Sequence, residues 1–164
     1  MINIEEKDMI INRIPAKTWN HLHMNQSRVL EVSINRTGNL ETKISDVALL
    51  DSGKLTEGMI DEITGGCGQE IADIARKSAV VPSFLITDKK NDGCVRLNFR
   101  YGEESADMNI IGIETKEDAS IDVYMDFHGQ KDGRGFAAVQ TRMYAAKNSV
   151  IRLIQVQRVG DETT

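Results

Sequence analysis

Apolar and polar residues alternate in several stretches of the second half of the chain, and these stretches recur at regular distances. EDASIDVYMDF, residues 117–127, and KNSVIRLIQVQ, residues 147–157, lie thirty positions apart and align in phase, with Asp118 on Asn148. In each, a turn residue and a small residue come before the alternation. Strict alternation is typical of a strand with one buried face. Both stretches are therefore predicted to be strands that begin at equivalent turns.

Three further stretches fit the same repeat. NDGCVRLNFRY lies twenty-six positions before the first stretch, with Asp92 aligned on Asp118. A second set of stretches has the same spacing: SADMNIIGIE, residues 105–114, lies thirty positions before GFAAVQTRMY, residues 135–144. The stretch VPSFLIT lies twenty-six positions before the first of these, so that Leu85 aligns with Ile111. A repeat of this length indicates a stacked architecture, so each unit of about 26 to 30 residues is predicted to hold two strands joined by polar corners.

A parallel β-helix over residues 80–164 accounts for this repeat, because stacked coils place residues one period apart on neighbouring strands. The alternative is an antiparallel β-sandwich in which GQKDGRG, residues 129–135, forms a hairpin around Asp132 and Gly133. In a sandwich, nothing requires the alternation of apolar and polar residues to stay in phase, or the turn residues to recur, at a constant spacing. The β-helix is therefore favoured. The predicted core consists of the apolar residues at alternate positions of these strands: Leu85, Val95, Leu97, Phe99, Ile111, Ile113, Ile121, Val123, Met125, Ile151 and Leu153.

Residues 1–79 have a weaker pattern that predicts a mixed segment with short helices. Apart from a strand over residues 28–34, RVLEVSI, the first quarter is not strand-like. Pro15 can begin a helical turn and Thr56 can cap a helix. Helices are predicted over residues 15–24, 54–64 and 69–79.

Composition narrows the class of protein. The net charge is −5 and the basic residues are scattered, which argues against nucleic acid as a partner. The longest apolar runs are only a few residues, too short to span a membrane. The N-terminus, MINIEEKDMI, lacks the basic and then apolar order of a signal peptide. With two cysteines and no disulfide framework, the chain is predicted to be a cytoplasmic globular protein.

The two cysteines are the first candidates for chemistry. Cys67, in GGCGQE, comes just before a predicted helix, where a thiol can have a lowered pKa and bind metal. A small residue in a glycine-rich turn explains it without such a role, and this explanation is favoured. Cys94 lies on the outward parity beside Val95, and with no CxxC neither cysteine predicts a closed zinc or cluster site. GGCG also lacks the Gly-Lys-Ser/Thr ending of a phosphate-binding loop.

The histidines and outward acidic residues are weaker candidates. His21 and His23 could chelate a metal from a strand, but on the predicted helix their side chains diverge. His128 precedes a loop glycine and is expected to be solvated. The outward parity of residues 117–127 is expected to be a solvated face: Asp122, Tyr124 and Asp126. No serine elbow or HExxH motif occurs, so no catalytic or metal-binding residue is assigned, and the chain is not expected to be an enzyme.

Residues 80–160 resemble the core of the SufB/SufD family, the scaffold subunits of the Suf machine that assembles iron–sulfur clusters. The resemblance is carried by NIIGIETKEDASIDVYMDFHG and FAAVQTRMYAAKNSVIRLIQVQ, and upstream by RIPAKTWNHLHMN. The positions that match the family pattern are Asn109, Ile111, Ala119, Ser149 and the pair Val156-Gln157.

The resemblance implies a right-handed parallel β-helix and a chain that is an N-terminal or truncated portion of a family member. It implies a SufC-like ATPase and a second SufB/SufD-like subunit as partners. The family residues thought to handle the cluster belong to a later part of its members. No cofactor is therefore expected in this segment, although the full assembly could hold an iron–sulfur cluster.

Two other functions stay open, and one partner is expected on physical grounds. The chain could be a β-solenoid interaction module without a cluster role, or a small cupin-like enzyme with a metal on His21 and His23. A β-helix that stops after SVIRLIQVQRV leaves a strand edge with unpaired backbone groups. A two-fold homodimer through residues 148–158 is therefore expected.

Overall fold

The computed structural model describes residues 4–11, 27–32, 36–37, 39–43, 49–51, 69–77, 80–102, 104–129, 134–160 and 162–163. These residues are mainly β, with one short helix. The elements in chain order are β1 Ile4–Ile11, β2 Ser27–Val32, β3 Arg36–Thr37, β4 Asn39–Lys43, β5 Leu49–Asp51, α1 Gln69–Lys77, β6 Ser83–Thr87, β7 Lys90–Arg100, β8 Glu104–Thr115, β9 Ser120–His128, β10 Arg134–Ala145, β11 Val150–Arg158 and β12 Glu162–Thr163.

Consecutive strands of the second half alternate between two sheets. A six-stranded sheet has the order β12-β10-β8-β6-β5, with β3 also paired to β8, and a four-stranded sheet has the order β11-β9-β7-β4. The pairs β6–β8, β8–β10, β7–β9 and β9–β11 are all parallel. Each of these strands therefore bonds to the strand two elements further along the chain, and its immediate neighbour in sequence lies in the other sheet.

The thirty-residue spacing is confirmed for the last two units. Thr141 pairs with Ile111 on the six-stranded sheet, and Ile151 pairs with Ile121 on the four-stranded sheet. The antiparallel sandwich is wrong for this region, because β9 and β10, which the loop over residues 129–135 would join as a hairpin, belong to different sheets.

The predicted register of the first unit is wrong by two residues. Leu85 pairs with Ile113 rather than with Ile111, and Val95 pairs with Val123. The corner is formed by residues 88–89, and the Asn-Asp-Gly sequence that was expected to form it lies inside β7. The register of β7 against β9 shifts between Lys90 and Cys94, where β7 holds two extra residues. Since a shift of two residues keeps every side chain on its face, the predicted inward parity survives.

The predicted core lies between the two sheets. Nine of its members are at most 1% exposed, and Ile151 and Leu153 are half-buried against them. These two belong to β11, which has a neighbouring strand on one side only among the described residues. Phe99 stacks on its register partner Phe127 with ring centroids 4.8 Å apart, so the core is also stacked from strand to strand.

A second apolar cluster covers the other face of the six-stranded sheet. The predicted helix over residues 69–79 is confirmed as α1, and its Ile71 is buried with Met108, Ile110 and Phe136. Residues 106–113 of β8 are consequently all buried, whichever way their side chains face. Such two-sided burial is typical of a central strand in a parallel sheet.

The N-terminal half contains more strand than the sequence predicted. The strand over residues 28–34 is confirmed as β2, but β1, β3 and β4 also fall in the first quarter, where no other strand was expected. In β1 the sequence IEEKDM places charged residues side by side, so no alternation marks a strand that pairs with β2 through its backbone. The predicted helices over residues 15–24 and 54–64 lie outside the described residues.

Strands from this half join the sheets of the second half. β4 is antiparallel to β7, and β5 is antiparallel to β6. The division of the chain into residues 1–79 and 80–164 stays a prediction. No helix within the described ranges is long and apolar enough to cross a membrane.

Gly112 provides a test of the packing between strands. A Cβ atom at this position would lie 2.3 Å from Cδ1 of the buried Phe84 ring, whereas one at Gly102 would meet nothing within 4 Å. We expect Gly112→Ala to lower the free energy of unfolding by about 1–3 kcal/mol through overpacking, and Gly102→Ala to change it by less than about 0.5 kcal/mol. Urea unfolding followed by far-UV circular dichroism measures both. Equal midpoints for the two variants would contradict the packing of Phe84 over β8.

Candidate functional site

Equivalent corners connect β8 to β9 and β10 to β11. Asp118 and Asn148 hold the same position in these corners and have backbone φ angles of 61° and 56°. This left-handed conformation is tolerated best by glycine, asparagine and aspartate, which explains why an Asp and an Asn recur there. The Asp118 amide also donates to the carbonyl of Lys147 at 3.1 Å, so one corner bonds directly to the next.

Small residues follow these turn residues because the corners stack closely. Ala119 is 1% exposed, and its carbonyl accepts a hydrogen bond from the amide of Val150 at 3.0 Å. Ser149, at the equivalent position, accepts a hydrogen bond from the hydroxyl of the fully buried Thr115 at 2.8 Å and donates to the carbonyl of Ala146 at 2.7 Å. Two of the residues that carry the SufB/SufD resemblance, Ala119 and Ser149, therefore hold successive corners together.

The outward side chains of β7, β9 and β11 form a ladder face, named here for its rows of paired residues. Arg152 donates from Nε and Nη2 to the two carboxylate oxygens of Asp122, at 2.7 and 3.0 Å. Arg158 makes the same bidentate contact with the carboxylate of Asp126. Hydrogen bonding to Asp122, together with its charge, raises the pKa of Arg152 above the ordinary value. Both pairs link β11 to β9. Arg152 is the register partner of Asp122, whereas Arg158 reaches diagonally to Asp126, two residues before its own partner His128.

Between these two pairs, Arg96 lies over the ring of Tyr124, with its guanidinium carbon 5.1 Å from the ring centroid. The two are register partners on β7 and β9, so this contact also joins neighbouring strands. Arg100, further along β7, is 4.0 Å from the carboxylate of Glu41 on β4. Solvent screens contacts of this kind, so each contributes little to stability. These contacts align the long side chains of Arg96 and Arg100 with residues of the neighbouring strands.

A few polar groups are buried at the far end of the core from the corners. Tyr101 is 6% exposed and Asp107 is 3% exposed. Burial raises the pKa of the Tyr101 phenol well above its ordinary value, and the negative charge of Asp107 raises it further. Asn109, another residue that carries the resemblance, is 2% exposed in β8. These groups are polar members of a packed core, and the phenol stays protonated at neutral pH.

Of the cysteines and histidines singled out by the sequence, Cys94 and His128 lie among the described residues, towards opposite ends of the paired strands β7 and β9. Cys94 is exposed on the outward face of β7, as predicted, and is the register partner of Asp122. His128 is exposed at the end of β9, also as predicted. Cys67, His21 and His23 lie outside the described residues. Within the described part of the chain, no group of three or more His, Cys, Asp or Glu side chains is placed to hold a metal ion.

The outer edge of β11 is the surface that most resembles a site of association. β11 ends the four-stranded sheet, and among the described strands only β9 pairs with it. Apolar side chains occur on both of its faces, with Ile151 and Leu153 half-buried on the inner face and Val150 and Ile154 45% and 52% exposed on the outer face. β12 pairs with β10 over only two residues, so most of the adjoining edge of β10 also has no partner among the described strands.

No protein-family model, curated protein or solved structure matches this chain. The function proposed below is therefore supported by the strand register, by the corners and by the residues that carry the SufB/SufD resemblance.

Two corner substitutions test the hydroxyl pair. Ser149→Ala leaves the buried Thr115 hydroxyl without its acceptor and should lower the free energy of unfolding by about 1–3 kcal/mol. Thr115→Val removes the buried hydroxyl itself, while Ser149 keeps its bond to Ala146, so its cost should be smaller. Because the two residues interact directly, the double variant should cost less than the sum of the single variants. Urea unfolding measures all three, and strict additivity would show that the two hydroxyls do not interact.

Proposed function

We propose that this chain is the β-helical part of a scaffold subunit similar to SufB and SufD, acting in iron–sulfur cluster assembly in the cytoplasm. The observation that carries the proposal is the alternation of consecutive strands between two sheets, with parallel pairing at the spacing of the repeat. A chain that advances in this way adds one strand to each sheet per coil. This supports a parallel β-helix, the core that the resemblance implies.

The right-handed form of this helix is supported by a general rule. β8 and β10 are parallel neighbours in one sheet, and the chain between them crosses to the other sheet through β9. Parallel strands joined by such a crossover are right-handed in nearly all proteins, because strand twist favours that hand. The connection from β9 through β10 to β11 follows the same geometry.

The positions of the family-pattern residues support a scaffold rather than a catalyst. Asn109 and Ile111 are buried in β8, and Ala119 and Ser149 are stacked at corners. Val156-Gln157 lies near the end of β11. Residues in these positions shape coils and fix their spacing. Stacked repeats present extended, regular surfaces, which suit a protein that holds other subunits.

The proposed partners are a SufC-like ATPase and a second SufB/SufD-like subunit. The family residues thought to handle the cluster belong to a later part of its members, and the contribution proposed for residues 80–164 is the core of the scaffold. Two alternatives compete with this proposal: a solenoid interaction module with no cluster role, and a cupin-like enzyme that binds metal through His21 and His23.

Complex formation by the full-length product of the gene tests the proposal. Co-expressed with a Suf-type ABC ATPase and a SufB/SufD-like subunit, it should copurify with both and raise the rate of ATP hydrolysis. A folded product that binds neither protein would contradict the cluster role and favour the interaction module.

Metal analysis separates the enzyme from the scaffold. The proposal expects no stoichiometric metal in this chain after treatment with a chelator. Iron or zinc that resists the chelator, and that is lost in the His21→Ala/His23→Ala double variant while far-UV circular dichroism stays unchanged, would favour the enzyme.

We propose that the chain also associates with itself through the edge of β11, at residues 148–158. Antiparallel pairing about a two-fold axis at Ile154 would place Val150 opposite Arg158 and Arg152 opposite Val156 of the second copy. No arginine would face another arginine, and like charges directly opposite each other are what most disfavours strand pairing. The bonds formed would satisfy backbone groups on the side of β11 that has no partner strand among the described residues.

Sedimentation velocity tests this association. The chain should sediment as a dimer, and two substitutions should shift it towards monomer. Gln155→Pro removes a backbone donor from the open edge and disfavours strand pairing there. The amide of Val150 and the carbonyl of Arg158 bond to β9, so the backbone groups of the alternate residues, Gln155 among them, face away from β9. Ile154→Lys would place two ammonium groups at the axis. Val81→Lys is the matched control, because Val81 is similarly exposed, at 60%, but lies before β6 and away from this edge. A monomer at high concentration, or a dimer that neither substitution weakens, would contradict the proposal.

A further inference from the structure

We draw no further inference here: the strongest candidate, the ladder face around the stacked Arg96 and Tyr124 on β7 and β9, is flanked by arginines that already pair with Asp122 and Asp126 of the same chain, and nothing in the structure shows what covers it.

Discussion

Each strand of the second half hydrogen-bonds in parallel to the strand two elements further along the chain, and the spacing of this pairing is the constraint on which the other features depend. In-register stacking places apolar residues over apolar residues, so Val95 lies on Val123 and Phe99 on Phe127. A slip by one residue would turn the apolar parity of a strand towards solvent. The corners reinforce the spacing, because Asp118 and Lys147 bond from one corner to the next.

The fold was predictable wherever the strands alternate and the spacing is constant. Thr141 over Ile111 and Ile151 over Ile121 follow directly from the thirty-residue offset. The first unit escaped prediction because its offset is 28 residues on both sheets. Three residues separate β7 from β8 and five separate β9 from β10, which accounts for the difference from thirty. The shorter corner at residues 88–89 is compensated by the two extra residues in β7, so the parity does not change. An apolar strand fits its core equally well after a shift of two residues, so alternation alone does not select the register.

The candidate surfaces were only partly predictable, for a related reason. Arg152 and Asp122 carry opposite charges at matching positions of the repeat, and aligning the units for charge as well as parity would have found the pair. Thr115 and Ser149 are offset by thirty-four residues, so their bond depends on the shape of the corner rather than on the repeat. The approach of Tyr101 to Asp107 depends on the turn between β7 and β8, for which the alternation provides no signal.

Disulfide formation at native Cys94 tests the stacking register most directly. Both variants are made in a Cys67→Ser background. Asp122→Cys places a second cysteine at the register partner of Cys94. Ser120→Cys places it on the same face of β9, at the position that would pair with Cys94 if the offset were twenty-six residues. Neighbouring parallel strands are about 4.8 Å apart, within the range that a disulfide spans. Under mild oxidation, the parallel stacking described here predicts an intramolecular disulfide in Asp122→Cys and none in Ser120→Cys. A disulfide only in Ser120→Cys would show that β7 and β9 pair at the twenty-six-residue offset. A disulfide in neither variant would contradict the parallel pairing of β7 with β9.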